Sequence, residues 1–248
     1  MTGAFRVDGD AYDKFMGRYS TKLAVLFAEF AGVQHGSRVL DVGAGTGALT
    51  AELVGRGASV AAADPSPEFV GVLRTRFPEL EIAEAPAESL PFEDGAFDVA
   101  LAQLVVAFMA DAPAAVAEMA RVAGRVAVCM WGVEEVDMFA AIDRTTAVVG
   151  ASSAAEPRRY RTPPEIRDLL SPHGEVETAE LDVSAGYGDF GEFWQAMDRG
   201  VGPAGQWLAS LDPEQRERAH DELFRQLGSP RGPFELKARA FAAAVTPA

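Results

Sequence analysis

The sequence predicts an α/β protein built on a doubly wound, mostly parallel sheet of seven strands, with a helical cap inserted late in the chain. Two observations carry that expectation. The first is the stretch 38–54. A short apolar run there ends in Asp41, a turn with three glycines follows (Gly43-Ala44-Gly45-Thr46-Gly47), and helix-forming residues continue from Ala48. Strand, glycine turn and helix in that order make the first unit of a nucleotide-binding sheet, because the turn must be sharp and a ligand must approach bare backbone. The second is the unbroken alternation of strand-like and helix-like runs from residue 38 to about residue 132. Right-handed crossovers convert such a pattern into parallel strands.

Ahead of the first strand, residues 11–20 (AYDKFMGRYS) are dense in aromatics. Ser20 is placed to cap a helix whose apolar face is Leu23, Leu26, Phe27 and Phe30. The second strand, 58–64, also ends in an acid, Asp64, which lies 23 residues beyond Asp41. A carboxylate at about that separation accepts hydrogen bonds from the ribose hydroxyls of a nucleoside; the alternative is that it caps the helix 68–77, which Pro65 and Pro67 introduce. A third strand is expected over 79–84. The fourth and the start of its loop cover 97–106, continuously apolar as a central parallel strand must be. Ala102, Gln103 and Leu104 fall at its carboxyl end, where open α/β sheets bind ligands. A helix over 113–122 leads to a fifth strand, 125–130, which closes at Trp131-Gly132.

Beyond that point the alternation loosens. Residues 138–149 suit an amphipathic helix, 150–156 a small-residue hinge, and Thr162-Pro163-Pro164-Glu165 a capping box opening a helix over 166–170. A sixth strand is expected over 175–184 and the last over 234–245. The 185–232 segment between them is too long for a simple connection. Phe190, Phe193, Trp194 and Met197 share one helical face, and Asp212-Pro213 opens a helix with Ala219, Leu223 and Leu227 inward. This insert reads both as a satellite core and as a cap over an active site, and the two readings are compatible. The implied organisation is an N-terminal arm and helix (1–36), a cofactor-binding βα core (37–131), lid helices with the sixth strand (132–184), the helical cap (185–232) and the last strand (233–248).

A net charge of −15 disfavours nucleic acid or an anionic membrane surface as partner, since phosphates repel such a chain. One cysteine, Cys129, excludes an internal disulfide and a Cys-rich metal site, and its apolar neighbours mark it as a core residue. No stretch of about 18 apolar residues and no leader-like start is present, so a cytoplasmic protein is expected. No metal-ligand spacing appears among its acids and three histidines. His35 precedes the first strand, at the wrong end of the sheet for chemistry, and His173 and His220 lie in surface-like helical stretches. Tyr160, flanked by Arg158, Arg159 and Arg161, fits either a solvated basic patch before a helix or a contact to an acidic or phenolic ligand.

DVGAGTG followed by AESLPFEDGAFD resembles, in order and in spacing, the first motif and the third-strand loop of the class I S-adenosylmethionine-dependent methyltransferases. YDKFMGRYS resembles the N-terminal arm of one of their subgroups. The resemblance implies the Rossmann-like methyltransferase fold, with the last strand antiparallel and inserted between the fifth and sixth. It implies in-line methyl transfer from S-adenosylmethionine to a small-molecule acceptor, leaving S-adenosylhomocysteine. Carried over residue by residue, it places Asp41, Gly43, Ala44, Gly45 and Gly47 in the cofactor loop, with Asp64 and Pro65 at the ribose. It puts Ala87 and Glu88 at the adenine, Gln103 and Leu104 at the methionyl part, and Tyr12 and Arg18 at its carboxylate.

Two positions depart from the pattern. Pro86 stands where the family usually carries an aspartate for the adenine amino group, and Ala107-Phe108-Met109 replaces a stretch where relatives often carry histidine. Methyl transfer needs alignment and exclusion of water, and a base only when the acceptor holds a tightly bound proton. No catalytic residue is therefore assigned. The aromatics Phe108, Trp131, Trp194 and Trp207, with Met109, point to a small apolar or aromatic acceptor. Gly43-x-Gly45-x-x-Ala48 also fits the dinucleotide fingerprint. An NAD-dependent oxidoreductase and a non-catalytic module that binds S-adenosylmethionine or its product are the alternatives.

Overall fold

The computed structural model describes residues 15–150, 159–198 and 202–247. Its seven strands are β1 (Arg38–Val42), β2 (Ser59–Asp64), β3 (Glu81–Glu84), β4 (Val99–Gln103), β5 (Val126–Val136), β6 (Val176–Tyr187) and β7 (Phe234–Val245). They form one sheet in the order β3-β2-β1-β4-β5-β7-β6. Within it β1 runs parallel to β2 (Arg38 opposite Ser59) and to β4 (Val39 opposite Val99), β2 to β3, and β4 to β5. The chain leaves β1 toward β3 on one side and returns to β4 on the other. The strand order thus reverses between β1 and β4, which opens a crevice at their carboxyl ends.

The direction of β7 follows from its side-chain partners. Arg125, just before β5, reaches Thr246, just past β7, while Asp137 at the other end of β5 accepts from the Lys237 amide. Against β6, Asp182 pairs with Arg239 and Ser184 with Glu235, and Gly174 lies beside Thr246. Residue numbers rise along β5 and β6 as they fall along β7, so β7 is the antiparallel strand of a mostly parallel sheet, as the family resemblance implies.

Helices are α1 (Gly17–Phe30), α2 (Ala48–Gly55), α3 (Pro67–Arg76), α4 (Ala112–Val122), α5 (Asp137–Val149), α6 (Pro163–Leu170), α7 (Phe190–Asp198), α8 (Gly202–Ser210) and α9 (Pro213–Gln226). Their starts are written locally. Ser66 accepts from the Phe69 amide ahead of α3, Asp111 from Ala114 ahead of α4, and capping boxes Thr162/Glu165 and Asp212/Gln215 open α6 and α9. Three expectations need correction. Ser20 lies inside α1 and does not cap it, because the helix begins at Gly17. β5 continues to Val136, well past Met130, and Val136 is buried at its far end. α8 carries no strong period of its own and was not foreseen.

The chain divides into two compact units. Among the described residues one comprises 20–131, 159–181 and 240–247, the other 15–19, 132–150, 182–198 and 202–239. In the first, Leu40, Val42, Ala100, Val116, Met119 and Val128 belong to one continuous core. Each large aliphatic buried there contributes roughly 1.5–3 kcal/mol. The second unit is aromatic: Tyr187 stacks on Phe234 at 5.5 Å, and Phe190 meets Phe193, Phe224 and His220. Trp207 and Leu223 are fully buried in this unit, and α5 packs against α9.

Candidate cofactor site at the carboxyl ends of β1, β2 and β4

Asp41, the penultimate residue of β1, is 1% exposed and accepts a 2.6 Å hydrogen bond from the Thr50 hydroxyl of α2. Burial raises its pKa to about 7, with the Asp64 charge adding to the rise and the Thr50 bond opposing it. The turn that follows holds Gly43, Gly45 and Gly47 at φ +70°, +57° and +92°, values that cost a side chain about 1–2 kcal/mol. A Cβ on Gly43 would lie 2.6 Å from Val105, and one on Gly47 would lie 2.7 Å from Phe77. A Cβ on Gly45 would meet nothing within 4 Å. Packing therefore excludes side chains at two of the glycines, whereas the third faces open space.

Asp64 ends β2 at 5% exposure. One of its oxygens accepts from the Gly45 amide at 2.9 Å and the other from the Ser66 amide at 2.8 Å. Burial raises its pKa and these two bonds oppose the rise. A carboxylate offers about four acceptor positions, so lone pairs remain on both oxygens. The helix-capping alternative for Asp64 falls away, because Ser66 caps α3. Ala44 packs with Ala62 and Leu73 beneath the loop, and Pro65 is exposed beside it.

At the end of β4, the Gln103 amide donates to the Ser20 carbonyl at 3.1 Å. Leu104 takes a left-handed conformation (φ +61°) and donates to the Cys129 carbonyl at 2.9 Å. This strained turn brings Val105 onto Gly43 and so joins β4 to the glycine loop. The loop after β3 is tied in through the Ala85 amide, which donates to the Asp64 carbonyl. Pro86 is exposed and its carbonyl accepts from Ser89; Ala87 is buried; Glu88 accepts from the Asp111 amide at 2.9 Å. Arg121 of α4 holds the rest of this loop, donating to the carbonyls of Leu90 and Phe92 and pairing with Asp94 and Glu118. The sequence reading missed Arg121. Its signal, an arginine on the polar face of an amphipathic helix, is common to solvated surfaces.

The structure therefore joins Asp41, Gly43, Ala44, Gly45, Gly47 and Asp64 around one loop, and links Ala87, Glu88, Gln103 and Leu104 to it. Tyr12 lies outside the described residues. Arg18 belongs to the second unit, where it pairs with Glu192, donates to the Gly186 carbonyl at 2.8 Å and lies 5.0 Å from the Tyr187 ring centre. Next to it the Tyr19 and Tyr187 hydroxyls are 3.3 Å apart, and burial pushes both phenol pKa values up.

The remaining candidates sort by burial. Cys129 is fully buried, which pushes its thiol pKa up. His220 is edge-on to Phe190 and Trp194. Tyr160 packs partly buried against the first core, and Arg161, at 4% exposure, is no solvated patch. Trp131 and Trp207 are core residues; Phe108 is 41% exposed just beyond β4. Among the described residues no three His, Cys, Asp or Glu side chains gather as for a metal ion, and no helix is long and apolar enough to cross a membrane.

A bare glycine corner, buried carboxylates at two adjacent strand ends and a polar residue at the third form a site suited to a nucleoside with a polar tail, and the fold is Rossmann-like. Residues 40–128 match the methyltransferase-domain family. Over those residues the chain is similar to methyltransferase domains. An uncharacterised methyltransferase of Mycobacterium tuberculosis is 44% identical over 85 residues, 34% of this chain and 35% of the relative. The chain thus spans about a third of the length of the curated relatives it matches. Among solved structures, phosphoethanolamine N-methyltransferase 2 of Haemonchus contortus, in complex with S-adenosylhomocysteine, aligns over 97% of this chain and 57% of its own at 18% identity, TM-score 0.58. The cyclase SpnF aligns over 99% and 87% at 20% identity, TM-score 0.60. Likeness at these identities is likeness of fold, which hosts more than one chemistry.

Proposed function

We propose that this protein is a methyltransferase that uses S-adenosylmethionine to methylate a small-molecule acceptor. The observation that carries the reading is Gly45. Its left-handed backbone faces open space while its amide is held by the buried Asp64, so a ligand can approach the loop without meeting a side chain. When bound, the cofactor supplies a methyl carbon activated by its sulfonium. In this reading, the residual lone pairs of Asp64 take the ribose hydroxyls, and Ala87 and Glu88 border the adenine. Gln103 and Leu104 border the amino-acid part. Phe108, exposed beyond β4, offers an apolar face to the acceptor. Holding the acceptor in line and away from water supplies the rate, since positioning alone lowers such barriers by several kcal/mol. The S-adenosylhomocysteine complex of the Haemonchus contortus neighbour supports the choice of cofactor.

Calorimetric titration of the wild type and Gly45→Ala with S-adenosylhomocysteine and with NAD tests the proposal. The expected result is binding of S-adenosylhomocysteine alone, weakened at least tenfold by a methyl group placed in the open corner, with an unchanged circular dichroism spectrum. Binding of NAD alone by the wild type overturns it.

A further inference from the structure

Tyr160 takes a left-handed conformation, φ +60°, which costs a residue with a Cβ about 1–2 kcal/mol and which glycine adopts freely. Its ring is partly buried against the first core, and the Arg159 guanidinium lies 5.8 Å from the ring centre, within the range of a cation–π contact. The nearest described acid in sequence, Glu165, is occupied: it accepts from the amides of Arg161 and Thr162 and from the Thr162 hydroxyl. Among the described residues no carboxylate pairs with the exposed Arg159, in a chain with 37 acids against 22 lysines and arginines.

These residues lie toward the ligand-binding end of the sheet. α6 packs against α4 and leads through residues 171–173 to Gly174, which sits beside Thr246 at the end where β5 begins. A crossover helix runs back along the strand that it feeds. α6 has eight residues and is therefore about 12 Å long. Its start, with Arg159 and Tyr160 just ahead of it, is thus directed to the end where β4 closes and Phe108 is exposed.

We infer that Arg159 and Tyr160 select the methyl acceptor, and that the acceptor carries an oxyanion, a carboxylate or a phosphate, on an apolar body. The inference rests on the methyltransferase reading and adds to it the charge of the acceptor. A guanidinium only donates and does not lose its proton, so its ligand has to accept. Its planar fork matches two oxygens of a carboxylate or a phosphate. The Tyr160 ring steadies that fork and leaves its N–H groups free to donate. Strain of this kind persists where the surroundings fix it, and it gathers at ligand clamps. A glycine at 160 would remove the strain and the aromatic platform together. Phe108 supplies the apolar contact. The net charge of −15 bears on the same point: an acidic protein repels anions, so an anionic acceptor needs a local cation to dock.

The test uses protein saturated with S-adenosylhomocysteine and three probes of similar size: benzoate, phenyl phosphate and neutral benzamide. Affinities are read by ligand-observed NMR on the wild type, Arg159→Gln and Tyr160→Gly. The wild type is expected to bind one of the two anions more tightly than benzamide, and the preferred anion identifies the headgroup. Arg159→Gln should weaken that anion on the order of tenfold, the worth of a hydrogen bond to a charged group, and leave benzamide within about twofold. Tyr160→Gly should weaken the same anion several-fold. Both variants should bind S-adenosylhomocysteine as the wild type does. Anions that bind the wild type no better than benzamide overturn the inference alone. So does an Arg159→Gln variant that keeps full anion affinity or weakens anion and amide alike. A wild type that does not bind S-adenosylhomocysteine overturns the methyltransferase reading and the inference with it.

Discussion

Asp41 is a carboxyl group that the fold keeps out of water with Thr50 as its hydrogen-bond partner. Folded, it holds its proton up to about pH 7; unfolded, it releases it near the ordinary carboxylate value. The folded state therefore binds the proton more tightly. The stability this confers is full below about pH 4, falls as the pH climbs, and is gone above pH 7. Asp41→Asn removes that dependence while keeping a partner for Thr50. Thermal denaturation between pH 5 and 8.5 is expected to show a wild type that loses several degrees more than the variant, and a variant that is the more stable at pH 8.5. Parallel curves would show that Asp41 ionises at its ordinary value. At this scale the glycine loop and both acids were legible in the sequence, since positive φ and a strand-end carboxylate leave marks in residue type. The partnering of Asp64 with the Gly45 amide was not, because a hydrogen bond 19 residues apart has no sequence signature.

The loop between β3 and β4 depends on one helix. Arg121 donates to two of the loop's carbonyls, and its ion pairs with Glu118 and Asp94 hold the guanidinium in place. Charge pairs this exposed are worth little singly, but the carbonyl bonds fix the path of the backbone. Arg121→Ala is expected to speed amide hydrogen exchange across residues 88–97 and weaken S-adenosylhomocysteine a few-fold, with modest loss of stability. Exchange that stays slow there would mean that apolar packing of Leu90 and Phe97 sets the loop. Element type followed from periodicity; element ends did not. Ser20 resembles a cap by residue type, yet α1 starts earlier because Tyr19, Leu23 and Phe27 share one buried face that outweighs the capping preference.

For the whole molecule, the decisive feature is that the last strand is an interior one. β7 lies between β5 and β6, and its residues from Ala240 to Val245 are all buried. A chain ending at residue 233 would leave two unpaired strand edges and an open core. Such a truncation is expected to be insoluble or to lack cooperative thermal unfolding, whereas one ending at residue 246 should melt as the full chain does. A soluble, cooperatively folded 1–233 fragment would refute that. The sequence by itself determined the parallel β1–β5 sheet, the glycine loop with its flanking acids and the acidic character of the surface, because each is written in local pattern: strand period, turn chemistry and charge. Only the tertiary structure decided which open space lies beside Gly45, that Arg121 holds the loop after β3, and that Arg18 pairs with Glu192. Those facts depend on residues brought together from distant parts of the chain, and such encounters are fixed by packing.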